Sequence, residues 1–472
     1  MGSKARVLKA TGLTDCRGVP VSTGNPALIA RLEAAHELFL TYRGDPIAEV
    51  DRALTEDPGF VMGHCFKAGL LTQSMETRIY DTMLASVVAA ERLAEQANER
   101  ERGHIRALRA WVDGDFHGAV EHWEAVLVGY PHDLLALQLA HLSDVLLGDT
   151  VNQRDRVARV LPTWDESLPG YGYLLGLYAF GLEECRDFSQ AEEAGRRAVA
   201  SNPKDSYAIH AVAHVMEMQG RQQGGIWWMT SREADWADGN FASHLWWHLS
   251  LFHLDLGQTD RVLQIYDSKL RSGDPTRGEK YEELDATALL WRLYLLGVDV
   301  GGRWTDLADK WEPTAADTLY AFNDVHAMMT FVADGRSAAA ETVLNANERY
   351  VEHANDANVA MSRTIGLPFC HALSAFAEGR YDEAVERLLP IRYLTNRLGG
   401  SHAQRDIIAL TLLESALRAG QAGLARALAY ERTALKPSSP QNWTLAARAL
   451  EQLGDKDGAR RARARAESLL IQ

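Results

Sequence analysis

Small residues and prolines recur in this chain with a spacing of 34 residues, and that period admits few folds. Counted from Gly172, Leu175, Ala179 and Leu182 fall at positions 4, 8 and 11, Ala191 and Ala198 at 20 and 27, and Pro203 at 32. Counted from Arg100, the residues Ala107, Ala110, Ala119, Val126 and Pro131 take corresponding places, and a third unit counted from Asp406 has Ala425 and Pro437. The period is that of the tetratricopeptide helix pair, in which small residues let two helices approach closely and the proline stops the second. A helix pair of this kind buries its apolar face only by stacking on neighbours. The expected fold is therefore all-α: a tetratricopeptide-like α-solenoid of antiparallel helix hairpins, curled around a central polar groove or chamber.

Helix boundaries follow from local chemistry. Residues 1–24 carry Gly, Pro, Thr and Ser without helical periodicity and read as an irregular lead-in, whereas 25–472 read as one repeat domain. Asn25-Pro26 is a cap followed by a first-turn proline, Ala27–Tyr42 is apolar at helical spacing, and Gly44-Asp45-Pro46 ends that helix and opens the next. Roughly ten or more such pairs fit the chain.

Composition removes several function classes. A formal net charge of −15 argues against a nucleic-acid-binding surface, because phosphates need clustered Lys and Arg. The basic run Arg460–Arg465 reads as a solvated last helix. Cys16, Cys65, Cys185 and Cys370 are scattered without C-x-x-C spacing, as free thiols in a reducing compartment would be. With no run of about 18 apolar residues and no signal peptide, the expectation is a soluble cytoplasmic protein that does not enter a membrane. Oligomeric state stays open, a homodimer included.

The repeat register points to one place for chemistry. His210, His214 and Glu217 lie one face up a helix at i, i+4 and i+7, and His244 and His248 repeat the pair 34 residues later. With units beginning at Ser206 and Asn240, Ile209, Ala213 and Met216 pack inward. The histidines follow one residue later, about 100° round the helix, on the groove face. Neighbouring helices lie about 8–10 Å apart, so four imidazoles and a carboxylate can converge. Three readings stand open: ordinary packing, a zinc-like divalent metal on His210, His214, His244 and His248, or a metal-free polar pocket. The tryptophans between the pairs (Trp227, Trp228, Trp236, Trp246, Trp247) read mostly as packing, with one or two walling an apolar part of a pocket.

Other polar groups sit inside apolar helices: Asn323-Asp324-Val325-His326, Cys370-His371, and Gly399-Gly400-Ser401-His402-Ala403-Gln404-Arg405-Asp406. Ser401 suits an N-cap after the two glycines. His64 and His104 are weaker members, and His36, His122 and His353 read as surface or packing residues. If the solenoid curls through about a full turn, the first-helix histidines share one chamber.

Taken together, His210–Arg221 (HAVAHVMEMQGR), Asn240–His248, Asn323–Ala327 and Gly399–Asp406 resemble the tetratricopeptide repeat protein 38 family, over residues 25–470. The resemblance implies an all-helical repeat protein, generally cytoplasmic, and no assigned activity. Carried over by motif, it marks His210, His214, Glu217, Asn240, His244, Trp247, His248, Asp324, His326, His402, Gln404, Arg405 and Asp406. The segment Gly220–Trp228 departs from the pattern.

Two classes of function fit. The first is an enzyme, hydrolytic by preference, acting on a small polar metabolite. There Glu217, Asp324, His326, His402, Arg405 and Asp406 supply acid–base or anion-holding groups, Trp247, Asn240, His371, Gln404 and His64 line the substrate, and the four histidines hold metal if one is bound. The alternative is a scaffold that binds a peptide in its concave groove, or a carrier with the same pocket and no chemistry.

Overall fold

The computed structural model describes residues 12–271 and 280–470. Among them helix follows helix, joined by short turns, and the chain is an all-α tetratricopeptide-like solenoid. The predicted units appear as the pairs Glu99–Val112 with Phe116–Gly129, Tyr171–Glu184 with Phe188–Ser201, Ser206–Met218 with Gln222–Thr230, and His402–Arg418 with Ala422–Leu435. Their small residues do what the spacing requires: Ala107, Ala119, Ala179, Ala191, Ala198 and Ala425 are fully buried where helices meet. Side-chain caps set the starts, Asn25 accepting from the Ala27 amide, Asp45 from Ala48 and Asp205 from Ala208.

One local reading is corrected, and one segment left open by the sequence is placed. The lead-in is not wholly irregular: Leu13–Thr14 pairs antiparallel with Pro20–Val21. The Asp15 carboxylate accepts from the Arg17 and Val19 amides at 2.9 Å each and so closes the turn, while residues 1–11 lie outside the described residues. The Gly220–Trp228 segment continues into a packed helix, Gln222–Thr230, that leans on Ala242–Asp255 through Gly225, where a Cβ would stand 2.2 Å from the Phe252 ring. Trp228 and Trp236 are buried with their indole N–H groups donated to the Ile209 and Met229 carbonyls, which bears out the packing role; Trp227 alone of that group is exposed.

The superhelix meets itself one turn on. Asn240 donates its side-chain amide to the Gly44 carbonyl, Asn323 to that of Met75, and the Tyr320 hydroxyl donates to Leu146. Further along, the His402 amide donates to Glu184, Lys436 to Glu217, and Ser439 to Asp255. These contacts span sequence separations of 174 to 248 residues. The curl expected from the repeat thus closes, and its inner face is packed: the Lys280–Leu295 and His402–Arg418 helices lie against each other across it, joined by a 2.9 Å bond from Trp291 Nε1 to Thr411 Oγ1. One apolar core runs from Val21 to Ala449, with a small satellite of Ala447, Leu450, Ala459 and Ala462 at the C-terminal end.

Candidate metal centre

The register inference holds in three dimensions. Ser206–Met218 presents His210 and His214, and Ala242–Asp255 presents His244 and His248, each helix turning its pair inward. The ring of His210 lies 4.4 Å from that of His214, 4.9 Å from His244 and 4.8 Å from His248, centroid to centroid. Nε2 of His244 is 3.1 Å from Nε2 of His210 and 3.3 Å from Nε2 of His248. One ring nitrogen from each of the four falls within 4.8 Å of the rest. All four side chains are buried, and Phe180, Phe241 and Trp247 wall them in, Trp247 stacked on His244 at 5.3 Å.

Carboxylates stand behind three of the rings. Asp285 Oδ2 is 2.8 Å from Nδ1 of His244, and Glu217 Oε2 is 3.2 Å from Nδ1 of His248. Glu183 Oε2 is 3.5 Å from Nδ1 of His214, too far for a good bond, and both Glu183 oxygens are buried without a hydrogen-bond partner. Nδ1 of His210 and both nitrogens of His214 also lack one. Burial, reinforced by the neighbouring imidazoles, holds His210, His214 and His248 well below the ordinary histidine range, so they are neutral with a lone pair to give. Burial also drives the Glu183 carboxyl well up, with Glu184 and Glu217 adding to the effect.

Asp285 and Glu183 did not emerge from the sequence. Each stands among other carboxylates of its helix, Glu183 beside Glu184 and Asp285 after Glu282 and Glu283, with its histidine on another hairpin and no fixed spacing to betray it. A carboxylate at a position that the repeat makes inward-facing is the one signal that could have found them.

Of the other predicted residues, Glu217 and Trp247 join this centre, behind His248 and against His244, and the rest are not brought to it. Glu217 is shared between His248 and Lys436 Nζ at 3.2 Å, a fixed ion pair. His402, Gln404 and Arg405 form a neighbouring structural knot. Gln404 completes a capping box with Ser401, His402 Nε2 lies 2.7 Å from the Glu184 carbonyl, and Arg405 pairs with Glu184 at 2.8 Å. Asp406 is held by Arg432 in a two-pronged pair of 2.6 and 3.0 Å; burial acts to raise its carboxyl, but the guanidinium wins and keeps it well below the usual range. Asn240 is spent on ring closure.

Four further placements differ from the shared chamber. His326 is buried with Nδ1 2.7 Å from the Phe322 carbonyl. Asp324 faces a separate cavity of about 60 Å³ between Met75–Arg78 and the Ala321–Asp334 helix. His371 is half-buried beside Glu348, and His64 lies 2.9 Å from the Pro58 carbonyl. For the three histidines a neighbouring backbone carbonyl or carboxylate satisfies the position that the sequence left unexplained, whereas Asp324 Oδ2 is buried without a hydrogen-bond partner.

No family model matches the chain. Several solved structures resemble it in outline. A monomeric mutant of IFIT1 with Gppp-AAAA is 14% identical, with a TM-score of 0.40 over 94% of this chain and 100% of that one. Yeast Tom70 is 14% identical, with a TM-score of 0.35 over 94% and 92%. The tetratricopeptide domain of P58(IPK) is 12% identical, with a TM-score of 0.21 over 79% and 99%. At these values the likenesses carry no conclusion about function. Among the described residues no helix is long and apolar enough to cross a membrane.

Proposed function

We propose that the chain works by binding, as a helical-repeat scaffold that holds a protein partner on its C-terminal hairpins. The observation that carries this reading is a groove of about 570 Å³ lined by Arg426, Ala427, Tyr430, Leu450, Leu453 and Asp455, in which Tyr430 is 45% and Leu453 42% exposed. A terminal hairpin of a solenoid ordinarily turns a polar face to water. Apolar side chains gathered round a groove there are what a partner's apolar side chains would cover, with Arg426 placed for a carboxylate. The inner face next to the histidines is already occupied by the chain's own helices, which favours an outer groove as the docking surface. Four thiols without disulfides fit a reducing, cytoplasmic setting, and the motifs from His210 to Asp406 support a place in the tetratricopeptide repeat protein 38 family.

The test is a Tyr430→Ala/Leu453→Asp variant. A partner captured by the wild-type chain, then purified and titrated, should bind the variant at least 30-fold more weakly, about 2 kcal/mol, as expected for a central aromatic anchor. Equal affinity would reject the groove.

A hydrolytic enzyme is the second reading, and Glu183 is what favours it. A buried carboxyl with both oxygens unpartnered beside His214 is the kind of group that serves as a general base. Metal-assisted hydrolysis also requires a coordination position open to water. Depletion of a defined metabolite by the wild type, and not by His214→Ala/His248→Ala, would favour it over the scaffold.

A further inference from the structure

We infer that His210, His214, His244 and His248 together hold one divalent first-row metal ion, zinc by the nature of the donors. This goes beyond the binding role proposed above and does not depend on it. The case rests on how the ring nitrogens are placed. Asp285 Oδ2 stands behind Nδ1 of His244 and Glu217 Oε2 behind Nδ1 of His248, so both rings turn Nε2 to the same point. Those two Nε2 atoms face each other across 3.3 Å, and both are buried. Nε2 of His210 approaches the same point, 3.1 Å from that of His244, so three ring nitrogens conflict over one buried spot.

A cation between the nitrogens removes the conflict. Four imidazoles bound tetrahedrally at about 2.0–2.1 Å stand about 3.3–3.4 Å apart, nitrogen to nitrogen. The two measured contacts, 3.1 and 3.3 Å, are close to that spacing. His214 completes the set, its ring 4.3 Å from that of His248.

The outer groups conform as well. A ligating histidine ordinarily offers its second nitrogen to a carboxylate or carbonyl, and here Asp285, Glu217 and Glu183 stand behind three of the four. These acidic groups come from three separate helices, so the outer partners, like the rings, are gathered from different hairpins. Imidazole donors without thiolate suit zinc and its first-row neighbours, and are poor ligands for calcium or magnesium. With four nitrogens filling a tetrahedron, the site is closed and structural in type, tying two adjacent hairpins together.

The full chain would be purified, stripped with a chelator, and titrated with zinc and, separately, with cobalt(II) as a coloured reporter. Saturation at one ion per chain, with zinc displacing cobalt, is expected. His210→Gln/His248→Gln should abolish saturable binding while keeping the helical circular-dichroism spectrum, and Asp285→Asn should bind 10–100-fold more weakly, as outer partners usually cost. A folded wild type that takes up neither ion would overturn the site and leave a shared buried proton in its place. Undiminished binding by the folded double variant would overturn it too. If the double variant does not fold, Asp285→Asn decides: unaltered affinity in that variant contradicts the assignment. Loss of affinity in Glu183→Gln with none in Asp285→Asn would place any metal on Glu183, Glu184 and His214 instead, and would likewise overturn the four-histidine site.

Discussion

His36, His141 and His326 lie outside the four-histidine centre and are buried all the same. His36 Nε2 is 3.1 Å from the Gln138 amide oxygen, and His141 Nε2 is 3.0 Å from the Tyr207 hydroxyl. Burial pushes their pKa values down, to about 3 for His36 and His141 and about 4 for His326. In the unfolded chain the same groups take up protons near pH 6.5. Between those limits the unfolded state binds more protons, so stability is complete above about pH 6.5 and is lost as the pH falls towards 4. Each such histidine contributes about 1.4 kcal/mol per pH unit in that window. Melting temperatures recorded from pH 7.5 down to 4.5 should begin to fall below about 6.5, and His36→Gln should soften the decline; a flat profile would contradict it. Nothing in the sequence separates these histidines from the clustered four except register. His210 and His244 were legible because the repeat places them on adjacent helices at one height, whereas His141 meets Tyr207 across a hairpin boundary that no spacing announces.

Individual elements were the most legible part, since caps, prolines and small residues act over a few positions. Asp205, Asn25 and Asp45 cap where the sequence says a helix should begin. The Gly399-Gly400-Ser401 motif was read correctly as a cap and incompletely as a site. Gly400 donates its amide to the Val145 carbonyl at 2.9 Å, and both glycines sit at positive φ, 83° and 74°, close against the end of the Leu134–Leu147 helix. Opposite them Gly148, at φ 67°, leaves no room: a Cβ would stand 1.7 Å from the Asn396 carbonyl oxygen. Gly148→Ala should therefore cost about 1–3 kcal/mol in strain and displaced backbone. Ser401→Ala, which removes the cap alone, should cost about 0.5–2 kcal/mol. Both are measured as losses in melting temperature. A Gly148→Ala protein as stable as wild type would mean that the two turns do not pack in solution.

For the molecule as a whole, the solenoid was legible and the packing of its inner face was not. A repeat pattern specifies how each hairpin meets the next and is silent on what lies one superhelical turn away. The contacts that close the turn use single polar residues such as Asn240, Glu184 and Lys436, whose partners stand 196, 218 and 219 residues off. The predicted chamber is consequently a filled interior, and two groups assigned to it as catalytic are ion-paired: Arg405 to Glu184 across the closure, and Asp406 to Arg432 within its own hairpin. Arg405→Ala strands the buried Glu184 carboxylate and should destabilise the fold by about 3–5 kcal/mol, seen as a lowered thermal transition. What remains at the middle of the closed superhelix is the four-histidine cluster. X-ray absorption at the zinc edge, on the full chain purified without added chelator, tests it most directly. The expected first shell is four nitrogen donors at about 2.0–2.1 Å with the outer-ring scattering of imidazole. A shell containing sulfur at about 2.3 Å, or a protein that carries no zinc and acquires none on reconstitution, would contradict it.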